Sequence, residues 1–165
     1  IIWSKAVKNN NTIIWGSGIL NARSGVGIAP KRFCAEICAV RGKKTKQMLD
    51  KIGVKCPDVF GDPAMLVPNF YSPISDKAYD IGLVYHFKYR KLKLAEHLRE
   101  KIKKKYKINL ISVDLPLEDF CKEINKCDCI LSSSLHGLIL AHSYGVAAAP
   151  FHFKRGNQIR RFYQI

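Results

Sequence analysis

The stretch Ile130-Leu-Ser-Ser-Ser-Leu-His136-Gly137-Leu-Ile-Leu-Ala-His142-Ser-Tyr-Gly145-Val146 reads as a short buried strand, a Ser-rich turn, and an apolar helix that Gly145 stops. A strand that hands over to a helix within a few residues is the repeating unit of a parallel α/β sheet. In such sheets ligands collect at the carboxyl ends of the strands. The first turn of the following helix offers unpaired N–H groups that favour anions. His136 stands at this junction. It therefore suits acid chemistry on an anionic substrate, against the plainer reading of a histidine that caps its own helix.

The same alternation extends in both directions. Thr12-Ile-Ile-Trp15 is an apolar run broken by Gly16-Ser17-Gly18, as expected for a strand ending in a tight turn. Phe33 to Val40 is a second run, closed by Arg41-Gly42, and Lys43 to Ile52 has helical spacing with Gly53 as the stop signal. Val59-Phe60 then enters the turn Gly61-Asp62-Pro63. Pro68 to Asp76, rich in Pro, Asn and Ser, is the expected linker. Beyond it, strands are expected over Tyr79 to Tyr85, Ile108 to Val113, Asp128 to Leu131 and Val146 to Ala149, the last closed by Pro150. A short helix over Leu117 to Ile124, opened by Pro116 and acidic residues, lies between them. The expected architecture is α/β, with two parallel-sheet domains over residues 1–72 and 73–165 facing a cleft. The ends of the sequence read as those of a segment cut from a longer protein.

Of the 165 residues 47% are apolar, and no apolar run is long enough to span a bilayer. Lys and Arg number 28 against 13 acidic residues, a net charge of +15. Much of the excess falls on Lys88, Arg90, Lys91, Lys93, Arg99, Lys101, Lys103, Lys104, Lys105 and Lys107. Leu94, Leu98, Ile102 and Tyr106 recur every four residues there, so a helix with one apolar face and a lysine-covered face is expected. Such a run is either a solvated face or a peripheral contact with the anionic inner leaflet of a membrane, in an otherwise cytoplasmic protein. No nucleic-acid motif accompanies it, which argues against a nucleic-acid partner. The six cysteines, at 34, 38, 56, 121, 127 and 129, lack the spacing of paired zinc hooks. Cys38 and Cys129 fall inside expected strands, where a thiol behaves as a small apolar group, and reduced, inert thiols are expected throughout.

Several polar residues recur just after strands: Gly16, Ser17 and Gly18, Arg41, Asp62, His86, and the turn Ser132-Ser133-Ser134-Leu135-His136. Repetition at one topological place matters, because these ends line the ligand crevice. Arg41 could hold a carboxylate or phosphate in bidentate fashion, or could pair with a nearby acid. Asp62, before Pro63, could organise its own turn. His97 is expected on the surface of the basic helix, and His142 in the core or behind the site. His152 carries no assignment.

Trp15-Gly-Ser-Gly18, Val40-Arg41-Gly42-x-x-Thr45, Gly53, Gly61-Asp62-Pro63-Ala64-x-Leu66 and Ser134-Leu135-His136-Gly137 together resemble the polysaccharide pyruvyl transferase family. Asp80-Ile-Gly-x-x-x-His86 adds to the likeness, which runs in order from about residue 12 to residue 151. The resemblance implies two Rossmann-like domains of the glycosyltransferase-B type, with the start of the first domain and the tail after the last strand absent. It implies transfer of the pyruvyl carbons of phosphoenolpyruvate to two hydroxyls of a bacterial glycan or its lipid-linked precursor, giving a ketal and phosphate. His136 takes the general-acid position of the family, and Arg41 that of a donor anchor. Ser134 stands where many members carry arginine before the Leu-His pair. A histidine titrates near neutrality, at about 6.5, and can protonate an enol ether carbon. Nothing in this chemistry asks for a cofactor or a metal. The alternatives are a glycosyltransferase of the same architecture using a nucleotide sugar, and a non-enzymatic basic binding module.

Overall fold

In the computed structural model, residues 11–19, 33–85, 100 and 103–151 are described. His86, His97, His152 and most of the basic helix expected over residues 88–107 lie outside them. The fold is α/β with parallel sheets, as expected. Two compact units divide between Pro63 and Ala64, and each is described by itself.

In the first unit, β1 (Ile13–Ile14) pairs in parallel with β2 (Glu36–Ile37). Single parallel bridges, Ser17 to Val40 and Val40 to Phe60, carry the same order of tracks forward. Regular pairing therefore occupies only two residues of the run expected over Phe33 to Val40. Helix α1 (Lys43–Lys51) covers one face, and Ile14, Ala35, Val40, Leu49 and Val54 form the core beneath it. Gly53 ends α1 at φ 71°. Its N–H donates to the Asp50 carbonyl, and that of Val54 to the Leu49 carbonyl. This double bond pattern needs a left-handed residue, which glycine adopts without penalty.

The second unit holds β3 (Tyr79–Tyr85), β4 (Ile108–Ser112), β5 (Cys127–Ser132) and β6 (Ala147–Pro150), all parallel, in the order β4-β3-β5-β6. Helix α2 (Leu117–Asn125) buries Phe120, Cys121 and Ile124, and α3 (Leu135–Ser143) buries five consecutive residues from Gly137 to Ala141. The core joins the three α2 residues and Leu140 and Ala141 of α3 to Val84, Ile111, Cys127, Ile130 and Val146. Gly145 repeats the Gly53 device at φ 70°, with Val146 N–H reaching the Ala141 carbonyl at 2.8 Å. The expected linker is only partly one. Pro63–Asn69 forms a 3-10 helix, and its Ala64 and Val67, with Tyr71, pack against the second core.

Three expectations are corrected. Pro150 does not close the last strand but belongs to it, opposite Ser132. β6 is an edge strand, where a residue without an N–H is tolerated. Cys38 lies beyond the end of β2 and is exposed, as is Cys34, so neither is a buried strand thiol. Cys121 and Cys127 are buried, and Cys129 is half-buried in β5. His142 is exposed rather than packed in the core, with Nε2 3.4 Å from the Ala148 carbonyl oxygen. Gly42, not a side chain with capping capacity, opens α1, so nothing but main chain marks that helix start.

Candidate functional site

The sheet order fixes where a ligand can sit in the second unit. From β3 the chain passes to β4 on one side, then crosses back to β5 and β6 on the other. The reversal opens a crevice at the carboxyl ends of β3 and β5. The Ser132-Ser133-Ser134-Leu135-His136 turn follows β5 directly. All three serines are buried, at 0%, 5% and 8% exposure. Ser132 Oγ donates to the Ser134 carbonyl at 2.8 Å and accepts from the Ser134 N–H at 3.0 Å, which closes the turn. Ser133 N–H donates to the Val84 carbonyl at 2.9 Å, which ties the turn to the end of β3. The Ser132 and Ser133 hydroxyls survive burial here because main-chain carbonyls accept from them.

Ser134 occupies the N-cap position of α3, so His136 is not the cap but the second helical residue. The imidazole is exposed. Leu138 N–H is the first in the helix to reach a helical carbonyl, that of Ser134 at 3.3 Å. The N–H groups of residues 135–137 precede it, at the positive end of the helix dipole. The Ser134 side chain makes no capping hydrogen bond. Gly137 lets α3 approach the strands: a Cβ there would stand 2.4 Å from Ser132 Oγ and 2.8 Å from Val84 Cγ1. This requirement is a signal that sequence reasoning passed over.

In the first unit the adjacent tracks bring Gly16, Ser17, Gly18, Arg41 and Asp62 to one end. Arg41 N–H donates to the Ser17 carbonyl at 3.1 Å, and Gly61 N–H to that of Val40 at 3.1 Å. Arg41 Nε donates to Asp62 Oδ2 at 2.7 Å, with the two side chains 21% and 7% exposed. Arg41 thus has an acidic partner, as one of the two sequence readings expected, and the ion pair runs through Nε. Among the described residues, nothing hydrogen-bonds Nη1 or Nη2. The guanidinium lies against main chain, since a Cβ on Gly18 would stand 3.0 Å from Nη1. Gly16, at φ 67°, would bring a Cβ within 2.3 Å of Pro63 Cδ. Buried Thr45 accepts a hydrogen bond from the Ile19 N–H at 3.3 Å, which braces the strand end behind these residues. The sequence spacing did not reveal the Arg41–Asp62 pair.

No group of three or more potential metal-ligating side chains gathers among the described residues. No helix among them is long and apolar enough to cross a membrane.

The pattern of the polysaccharide pyruvyl transferase family matches residues 1–151, and the chain belongs to that family. It is also similar to an uncharacterised protein, L143, of Acanthamoeba polyphaga mimivirus, with 28% identity over 144 residues. That match covers 84% of this chain and 47% of the viral protein, so the chain spans about half the length of that relative. No solved structure matches the chain.

Proposed function

We propose that the protein transfers the pyruvyl group of phosphoenolpyruvate to a glycan, or to its lipid-linked precursor, as a cyclic ketal, on two Rossmann-like lobes of the glycosyltransferase-B type. The observation that carries the reading is the Ser-rich turn at the β3–β5 crevice, which sets an exposed histidine on the first turn of α3. In the proposed reaction the His136 imidazolium gives its proton to the methylene carbon of the donor. The neighbouring carbon becomes oxocarbenium-like, and a sugar hydroxyl adds to it. The proton of that hydroxyl returns to the imidazole, which is then ready to protonate the departing phosphate oxygen. Cleavage of the carbon–oxygen bond to phosphate regenerates the electrophile. A second hydroxyl closes the ketal and releases its proton to the imidazole. Donor carbon, two sugar oxygens and inorganic phosphate are all accounted for, and no electrons change hands.

Arg41 is the proposed anchor for the donor's anionic groups. Asp62 holds Nε, which leaves the Nη1–Nη2 edge for a carboxylate or phosphate. In place of the family arginine at position 134, the Ser134 hydroxyl and the leading N–H groups of α3 are proposed to receive the departing phosphate. The test is calorimetric titration with phosphoenolpyruvate and a panel of nucleotide sugars, followed by phosphate release with a glycan acceptor. Phosphoenolpyruvate should bind, and His136→Gln should bind it yet release no phosphate. Near-normal release by that variant removes His136 from its role. Binding of a nucleotide sugar with no response to phosphoenolpyruvate favours the glycosyltransferase alternative.

A further inference from the structure

The pyruvyl transfer reading makes no use of the lysines at the opposite edge of the second sheet. Strands β3, β4 and β5 all begin there, and residues 103–107 (Lys-Lys-Lys-Tyr-Lys) form the turn that enters β4. β4 is an edge strand, so this turn occupies a corner of the sheet. All five residues are exposed. Lys103 pairs with Glu100. Lys104, Lys105 and Lys107 have no carboxylate within ion-pair distance among the described residues. Tyr106 is 37% exposed, and the Lys105 ammonium stands 5.2 Å from its ring centroid. That arrangement holds the ring at the surface beside cations instead of folding it inward.

Two neighbours add to this corner. The Lys107 carbonyl accepts from the Asp80 N–H at 3.0 Å, and the Lys126 carbonyl from the Ala78 N–H at 2.9 Å, so the starts of the three strands form one rim. Ile74, on the segment leading to β3, lines an open cavity with Lys122 and Lys126 at this rim and is fully exposed. Lys122 and Lys126 are each paired within α2 or at its end, with Asp119 and Glu123. The unpaired lysines of this rim are therefore Lys104, Lys105 and Lys107, next to the Asp80 carboxylate, which accepts from the Lys107 N–H at 2.6 Å. A tyrosine beside unpaired ammonium groups, with an exposed aliphatic side chain on the same rim, is the composition that suits the interface of a lipid bilayer. A phosphate polymer would use the charges but leave Ile74 without purpose.

We infer that residues 103–107, with Ile74 at the same rim, form a docking surface for an anionic lipid bilayer. The lysines meet the headgroups, and Tyr106 and Ile74 enter the interfacial layer. His136 then lies at the other end of the strands. β3 has seven residues, so at roughly 3.3 Å per residue the site stands on the order of 20 Å from the docked edge.

The test is co-sedimentation of the protein with vesicles of phosphatidylcholine alone or with roughly 30% phosphatidylserine, at about 0.1 M and about 0.5 M salt. Binding should need the anionic lipid and fall at the higher salt. Each lysine should contribute about fivefold, so Lys104→Ala/Lys105→Ala/Lys107→Ala should lower partitioning on the order of 100-fold. Ile74→Ser should lower it without changing the salt dependence. An equal reduction of charge in the first unit, Lys43→Ala/Lys44→Ala/Lys51→Ala, should leave partitioning within about threefold if local charge rather than net charge governs it. Equal binding to neutral vesicles overturns the inference. So does an unaffected triple variant at residues 104, 105 and 107, or binding to polyuridylate that exceeds binding to the vesicles.

Discussion

Replacing Gly137 by alanine separates two opposed effects whose sizes follow from the structure. Within a helix, alanine in place of glycine contributes about 1 kcal/mol in intrinsic propensity. Against that, the new Cβ would stand 2.8 Å from Val84 Cγ1 and 2.4 Å from Ser132 Oγ. Carbon–carbon contacts are optimal at about 3.5–4.0 Å, so the helix start must retreat by roughly 1 Å or Ser132 must turn away. Retreat overpacks or opens the α3–β5 contact, at a cost of about 1–3 kcal/mol. Rotation of Ser132 breaks both of its hydrogen bonds with Ser134 in a buried turn, also at about 1–3 kcal/mol. Either cost, less the propensity gain, leaves an expected net loss of about 1 kcal/mol.

Urea unfolding followed by far-ultraviolet circular dichroism reads the loss. Hydrogen exchange at the Ser134 amide reports directly on the broken turn. Gly145→Ala is the comparison, because no atom lies within 4 Å of a Cβ there and only the φ of 70° is strained. It should cost about 1–2 kcal/mol and leave Ser134 protected. A Gly137→Ala variant as stable as the parent, with an unchanged Ser134 amide, would refute the close-approach argument.

Asp62→Asn should raise the KM for phosphoenolpyruvate about tenfold with little change in kcat, since it weakens the hold on Arg41 Nε; a kcat loss at constant KM contradicts an anchoring role. A thiol reagent at neutral pH should modify Cys34 and Cys38 rapidly. Cys121 and Cys127 should react only on unfolding, because burial pushes the Cys127 thiol up to about 11. Mass spectrometry of the labelled peptides decides this. Burial works to raise the Glu123 pKa, but the Lys126 ammonium and the Asn109 amide outweigh it and hold the carboxyl below its ordinary value. A depressed folded pKa contributes stability above the unfolded value, lost as pH falls through the folded one. Urea midpoints of the parent should therefore decline below about pH 4.5 more steeply than those of Glu123→Gln.

Sequence patterning made the second unit's frame legible. Ile81 to Tyr85 and Cys129 to Leu131, within β3 and β5, are continuous apolar runs, as both faces of a parallel sheet require. Gly53 and Gly145 each carry a local signal, since only a left-handed residue satisfies the last helical carbonyls. Features that depend on neighbours remote in sequence were not legible. Arg41 and Asp62 meet because the tracks through Val40 and Phe60 lie side by side, which no spacing of 21 residues encodes. The spacing of three serines in a row does not announce burial, yet the turn is buried, with the Ser132 and Ser133 hydroxyls donating to carbonyls of the turn and of β3. Cys38 misled because the apolar run around it outlasts its pairing: β1 offers a regular partner for only two residues.

Pro150 has a consequence for how this sheet meets other chains. The Phe151 N–H turns inward to the Ser132 carbonyl, so the nitrogen of Pro150 faces away from β5, where no further strand pairs among the described residues. The outer margin therefore lacks a donor where a foreign strand would seek one, and its three alanines give an incoming strand little to grip. Fibril-like extension from this flank is disfavoured by the same residue that ends the last regular pairing among the described residues. Restoring the donor with Pro150→Val would be expected to make concentrated solutions of the protein more prone to ordered aggregation.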